Sequence, residues 1–220
     1  MAPQADAEFV YRMEHLLDLY TQPYDPTRPV VCMDETSKQL VSEVRVPQGM
    51  RPGRPARSDY EYQREGVCNV FMYFEPLRGW RAVDIHARRT KQEWVVGMKT
   101  LMEVHYPEAK VVRVVVDNLN THNPAAFYEF FPPAEAKQIL DRLELYYTPK
   151  HASWLNMAEI ELSVISRQCL KQRIPDQPRL QREVRAWARV RNEQCNTVDW
   201  QFTTAEARIR LKRLYPLYSG

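Results

Sequence analysis

The chain has 220 residues, 44% of them apolar and 27% charged, with a formal net charge of +3. That length suits one sizeable core, and the composition excludes a disordered chain. No apolar run approaches the ~20 residues that cross a bilayer, and the first residues are acidic where a secretory leader is basic and then apolar. An intracellular, cytoplasmic protein without membrane contact is expected. Cys32, Cys68, Cys169 and Cys195 form no CxxC pair, which argues against a zinc knuckle and for free thiols. At this net charge, nucleic-acid binding would rest on local basic patches and metal-bridged phosphates.

Residues 7–22 place Phe9, Val10, Met13, Leu16, Leu17 and Tyr20 at helical spacing. Pro23, Pro26 and Pro29 end that helix, and residues 1–27 read as an N-terminal helix and linker leading to a short apolar strand at 28–34. Residues 36–66 lose periodicity and are rich in Pro, Gly and Arg. They read as an insertion, a loop or small hairpin with a basic tip at 50–58. Two strand-like runs, 66–76 and 79–88, form a hairpin, and 90–105 return to helical spacing through Trp94, Val95, Met98, Leu101, Met102 and His105. The β-branched run 111–117 suits a strand covered on both faces. Short helices near 124–131 and 133–141 lead to a strand at 143–148, and helices are expected over 154–171, 178–194 and 203–213.

An antiparallel hairpin followed by strands separated by helices calls for a mixed sheet with parallel pairing in its second half. The fold class is α/β: a ribonuclease-H-like, mixed five-stranded sheet flanked by helices, with an inserted loop or hairpin after the first strand. A doubly wound nucleotide-binding fold is the competitor. It is weakened because no GxGxxG or GxxxxGK[ST] follows any strand, and the chain has only six glycines.

Three carboxylates stand out in that frame. Asp34 in VVCMDET and Asp117 in VVRVVVDNLNTH end apolar runs, at the tips of expected strands, and Glu159 in SWLNMAEIE opens an expected helix after Ser153 and Asn156. Alone, each suits a turn or a helix start. Together they fall on the first strand, the fourth strand and the helix after the fifth, which meet at one sheet edge in the ribonuclease-H-like plan. Three such carboxylates can hold two divalent cations about 3.5–4 Å apart for in-line attack on a phosphodiester. Oxygen ligands favour Mg²⁺, with Mn²⁺ substituting.

The strings MDET, VVDNLNTH and YTPKHASWLNMAEIE resemble the catalytic core of the bacterial insertion-sequence branch of the Tc/mariner transposase superfamily, over roughly residues 5–215. That resemblance implies a DDE triad of Asp34, Asp117 and Glu159 as catalytic residues and metal ligands. The family's Asn-x-x-Glu spacing selects Glu159, counted from Asn156, and leaves Glu161 as a bystander. The stretch from Asp117 to Glu159 is longer than usual in the family, with the extra length around FYEFFPPAEAKQIL. The implied function is metal-dependent DNA strand cleavage and strand transfer during transposition, acting on transposon ends and target DNA, as a homodimer. The alternatives are a stand-alone ribonuclease-H-like nuclease and a non-catalytic DNA-binding or dimerisation remnant.

Family members carry helix-turn-helix domains ahead of this core. With a first strand near residue 29, the chain is expected to be a single DDE catalytic domain over 1–220, without them and without sequence-specific end recognition. His122, Lys150, His151 and Trp154 are candidate DNA contacts, through phosphate or, for Trp154, base stacking. Structural histidines, a solvated lysine and a core tryptophan are the alternatives. Arg51, Arg54 and Arg57 are spaced as a phosphate-tracking arm, while the resemblance implies a dimer clamp for the same insertion at 36–66.

Overall fold

The computed structural model describes residues 6–44, 53 and 61–217. Helix α1 (Ala7–Tyr20) is N-capped by Asp6, whose carboxylate accepts from the Glu8 amide at 3.0 Å. Strands β1 (Val30–Glu43), β2 (Tyr62–Glu75) and β3 (Trp80–His86) form an antiparallel meander. Helix α2 (Lys91–Thr100) begins with a Thr90/Glu93 capping box and widens into a π turn at Leu101–His105. Strand β4 (Val112–Val116), helices α3 (Ala126–Phe130) and α4 (Pro133–Leu140), and strand β5 (Leu143–Tyr147) follow. Helices α5 (Ala158–Gln168), α6 (Gln177–Glu193) and α7 (Thr204–Arg210) complete the chain.

The sheet runs β3-β2-β1-β4-β5, with β1–β4 and β4–β5 parallel. This is the expected mixed five-stranded sheet. Side chains alternate across it. On one face Cys32, Val70, Met72, Phe74 and Val115 pack with Met13 and Leu16 of α1, Leu162 and Ile165 of α5, and Leu180 and Val184 of α6. On the other, Val31, Met33, Phe71, Tyr73, Val114 and Val116 pack with Trp94 and Met98 of α2, Phe127 of α3 and Ile139 of α4. The long stretch between β4 and β5 thus folds as α3 and α4, which close the second layer. No helix among the described residues is long and apolar enough to cross a membrane.

One expectation changes. Strand β1 does not end near Asp34 but continues to Glu43, and β2 starts at Tyr62, so of the loop and hairpin forms expected for the insertion, residues 36–43 and 62–66 take the hairpin form and extend the sheet. The reason lies in exposure: β2 is exposed from Tyr62 to Val67, so its outer half carries no apolar alternation to read. An irregularity between Gln39 and Val41 interrupts this outer ladder. There the Val41 amide donates to the Ile174 carbonyl at 2.8 Å, and Lys38 Nζ donates to the carbonyls of Leu170 and Gln172 at 2.5 and 3.0 Å.

Helix α2 presents a glycine to the sheet, and the Tyr73 side chain of β2 reaches up against it. A Cβ at Gly97 would lie 2.0 Å from the buried Tyr73 hydroxyl. Alanine is the better helix former by ~1 kcal/mol, yet overpacking a rigid core typically costs about 1–3 kcal/mol. Gly97→Ala is therefore expected to destabilise the protein, read as a lower urea midpoint. A midpoint equal to or above wild type would show that α2 can shift away from β2.

Candidate active site

The parallel pairing of β1 with β4 sets the site. Its last register pair is Cys32 with Val115, and two residues further along each strand stand Asp34 and Asp117. Asp34 lies on the side of the sheet that carries α5, sharing strand parity with Cys32, whereas the Asp117 carboxylate, one residue beyond β4, lies within 4.8 Å of ligand atoms of Glu35 and His122. Asp34 sits inside the long β1 rather than at a strand tip, while Asp117 directly follows β4.

Glu159 arrives from the first turn of α5. The buried Asn156 fixes that turn against β1: its Nδ2 donates to the Met33 carbonyl at 2.8 Å, and its Oδ1 accepts from the Ala158 amide at 3.1 Å. From the other side, the Tyr20 hydroxyl donates to the Leu155 carbonyl at 2.7 Å. The start of α5 is thus bonded to the residue immediately before Asp34. Asp34, Thr36, Glu159, Ser163 and Ser166 line one open cleft.

Burial pushes the Asp34 carboxyl up to about 7, and the neighbouring charges of Glu35, Asp117 and Glu159 add to the effect against the Glu35 amide, which donates to it at 2.7 Å. Asp34 is therefore the site residue most in need of a positive partner.

The tightest set of potential metal ligands among the described residues is nevertheless Glu35, Asp117 and His122, whose ligand atoms lie within 4.8 Å of one another. Glu35 points to the opposite face of β1 from Asp34 and is buried. His122 Nδ1 approaches Asp117 Oδ1 at 2.6 Å, and its Nε2 lies 3.5 Å from Glu35 Oε2. Burial alone would lower the His122 pKa, but these two carboxylates outweigh it and raise it to about 9. Asp117 is thus drawn toward its nearest positive group.

Glu161, read from sequence as a bystander, is a structural anchor. It is 1% exposed, with Arg81 Nε at 3.0 Å and Arg191 Nη2 donating at 2.5 Å. Arg81, fully buried on β3, also donates to the Asn192 side chain and the Asn196 carbonyl. The sequence could not separate Glu159 from Glu161 by burial, because the arginines that neutralise Glu161 come from β3 and α6.

The candidate DNA contacts separate. His122 is 1% exposed and cannot reach a DNA surface, which corrects its assignment as a direct contact: it is wedged between two carboxylates and the Trp94 ring, 5.5 Å away. Lys150, His151 and Trp154 are exposed on the loop between β5 and α5. Trp154 is 45% exposed and lies near-parallel to Trp200 at 6.4 Å, so it is no core residue. Arg51, Arg54 and Arg57 lie outside the described residues. Sequence reasoning passed over Glu35 and Arg81; a second carboxylate next to Asp34 on a half-buried strand was the available sign for the first.

Two substitutions should move stability in opposite directions. Removing Glu161 leaves Arg81 buried without its counter-charge, so Glu161→Gln is expected to cost about 3 kcal/mol or more, read by urea unfolding. Asp34 has a folded pKa near 7 against an unfolded value of about 3.9. The folded state therefore binds more protons between those values, and stability falls as pH rises from about 4 to about 7. Asp34→Asn in chelator should raise the melting temperature most at pH 8 and little at pH 4. An equal shift at both pH values would show that Asp34 is not charge-destabilised.

Residues 29–181 match the family described as DDE superfamily endonuclease. No curated protein sequence matches the chain. Among solved structures, the Mos1 mariner paired end complex with Mn aligns at a TM-score of 0.54 and 16% identity, over 91% of this chain and 65% of that one. The Mos1 strand transfer complex aligns at 0.55 and 15%, over 88% and 61%. At such identity the likeness shows the fold alone, the ribonuclease-H-like plan of a mixed five-stranded sheet flanked by helices. The chain spans 61–65% of the length of these Mos1 chains. The match over most of its length shows that the chain belongs to the DDE superfamily endonuclease family.

Proposed function

We propose that this chain is the catalytic domain of a DDE transposase, cutting DNA strands and joining the freed 3′-hydroxyl to a target in a metal-dependent reaction. Asp34, Asp117 and Glu159 are its catalytic carboxylates and metal ligands. The observation that carries this reading is their convergence from β1, β4 and α5, with Asn156 bonding the start of α5 to the residue before Asp34. The Mos1 structures it resembles include paired end complexes with Mn and with Mg.

The residues fit a pair of hard divalent cations. All three donors are carboxylates, Asp117 Oδ1 makes no aligned hydrogen bond, and burial, with like charges adding to it, holds Asp34 well above the usual carboxylate range. Bound there, Mg²⁺ or Mn²⁺ supplies activation of the attacking oxygen and stabilisation of the leaving one.

The protein's part is positioning. The cleft holding Asp34 and Glu159 is open, so a phosphodiester can enter broadside, and the hydroxyls of Thr36, Ser163 and Ser166 stand along it. Lys150 and His151 sit on the loop that leads into α5, within one turn of the exposed Trp154. In this reading the two basic side chains take backbone phosphates and Trp154 stacks on an unpaired base. The arm bearing Arg51, Arg54 and Arg57 contacts a second copy of the chain, its prolines stiffening it for docking, and the active species on DNA is a homodimer.

Adding Mg²⁺ or Mn²⁺ should stabilise the protein by mass action, ~2.7 kcal/mol at a hundred times the dissociation constant. Asp34→Asn, Asp117→Asn and Glu159→Gln should each lose that stabilisation together with cleavage and strand transfer on oligonucleotides carrying the element's ends. Wild-type cleavage in any one of them removes that residue from the set. Cleavage of RNA–DNA hybrids without strand transfer would instead identify a nuclease.

A further inference from the structure

We infer that His122 and Glu35 act as one positioning device for Asp117: His122, backed by the charge of Glu35, sets the direction in which the Asp117 carboxylate presents itself. The inference rests on Asp117 being a metal ligand, as proposed above.

Asp117 needs such a device because the chain gives it little else. It directly follows β4, at the start of an irregular segment, and its side chain is 30% exposed. Among the described residues His122 is the one basic group paired with it, at 2.6 Å, and the same ring nitrogen lies 3.1 Å from the Asp117 carbonyl. The His122 ring therefore meets both the side chain and the backbone of the residue it positions.

The ring itself has little freedom. Its amide donates to the Leu119 carbonyl at 3.0 Å, and its carbonyl accepts from the Tyr147 hydroxyl at 2.7 Å. Trp94 packs on the ring, and Glu35 sits behind the far nitrogen at 3.5 Å. Glu35 has no other close partner: Arg89 Nε stands 3.8 Å away, and neither Glu35 oxygen makes an aligned hydrogen bond. A carboxylate 1% exposed on the apolar α2 face, next in sequence to Asp34, has no packing value to offset its desolvation. Holding a histidine that in turn holds a ligand is a role that fits its position. Groups that orient a metal ligand commonly change metal affinity by about 10–100-fold.

The test is Mn²⁺ titration of the full chain, followed by EPR, in wild type, Asp117→Asn, His122→Gln, Glu35→Gln and the double variant. Circular dichroism and urea unfolding on the same samples show which of them are folded. The expected result is that Asp117→Asn abolishes tight Mn²⁺ binding, His122→Gln and Glu35→Gln each weaken it about tenfold, and the double variant is no weaker than the worse single one. Unfolding free energies need not follow that pattern, because stability counts every lost contact whereas affinity counts only the aim of Asp117.

If Asp117→Asn still binds Mn²⁺ tightly, Asp117 is no ligand and the underlying reading fails with the inference. If Asp117→Asn loses binding but both Gln variants bind like wild type, the pair is only structural and the inference alone fails. Independent, multiplying effects of the two Gln substitutions would also overturn it. So would a nitrogen coupling in the pulsed EPR spectrum that vanishes in His122→Gln, which would put the imidazole on the metal itself. If His122→Gln does not fold, Glu35→Gln decides the question, since it leaves the ring in place and removes only its support.

Discussion

The buried ion pair between Arg81 and Glu161 is the constraint around which this fold is arranged. Neither charge has access to water, so each is tolerated only because the other is within 3.0 Å and further polar groups complete the shell. The pair joins β3, at one edge of the sheet, to α5, and through Arg191 and Asn192 it takes in α6 as well. A hydrophobic contact between these elements would tolerate sliding. A buried ion pair does not, since a shift of about an ångström exposes both charges to an apolar surrounding. Helix α5 is therefore fixed in rotation and in height, and Glu159, two residues before Glu161, is fixed with it.

Strand β1 then separates charge across the sheet. Asp34 and its neighbour Glu35 point to opposite faces, as successive strand residues must. On the α5 side the Asp34 carboxyl is pushed up first by its burial and then by the charges of Glu35, Asp117 and Glu159. On the α2 side Glu35 meets His122 and, further out, Arg89. The same dipeptide thus supplies a repulsive centre open to solvent and a neutralised one behind it. Repulsion concentrated on the open face gives a site suited to cations, while the closed face keeps the backbone around it from moving apart.

Most of the architecture was legible because its elements bury one face or both. The β-branched run of β4, the helical spacings of α1 and α2, and the proline breaks each correspond to an observed element. What escaped was whatever depends on partners distant in sequence. The outer half of β2, from Tyr62 to Val67, is exposed throughout and has no apolar period. Glu161 looks like a second first-turn glutamate until Arg81 and Arg191 are brought to it. His122, in a loop after β4, looked available to DNA; only the packing of Trp94 shows it enclosed. The three carboxylates were visible as sequence strings, and the parallel register of β1 with β4 supplies the physical reason that the first two are neighbours.

The two ends of α5 are tied to the two halves of β1, and this links the carboxylates to the outer ribbon of β1 and β2. At its N-terminal end Asn156 bonds to the Met33 carbonyl. Just past its C-terminal end, the carbonyls of Leu170, Gln172 and Ile174 take hydrogen bonds from Lys38 and Val41. A two-stranded ribbon is marginal by itself in water, so the outer parts of β1 and β2 depend on these bonds for a fixed direction. The irregularity between Gln39 and Val41 is what makes the bonding possible, because it takes the Val41 amide out of the ladder and turns it toward Ile174. Any force that swings the ribbon therefore acts on the segment that ends α5. Because the ion pair at Glu161 holds α5 between these two attachments, that force is resisted before it reaches Glu159.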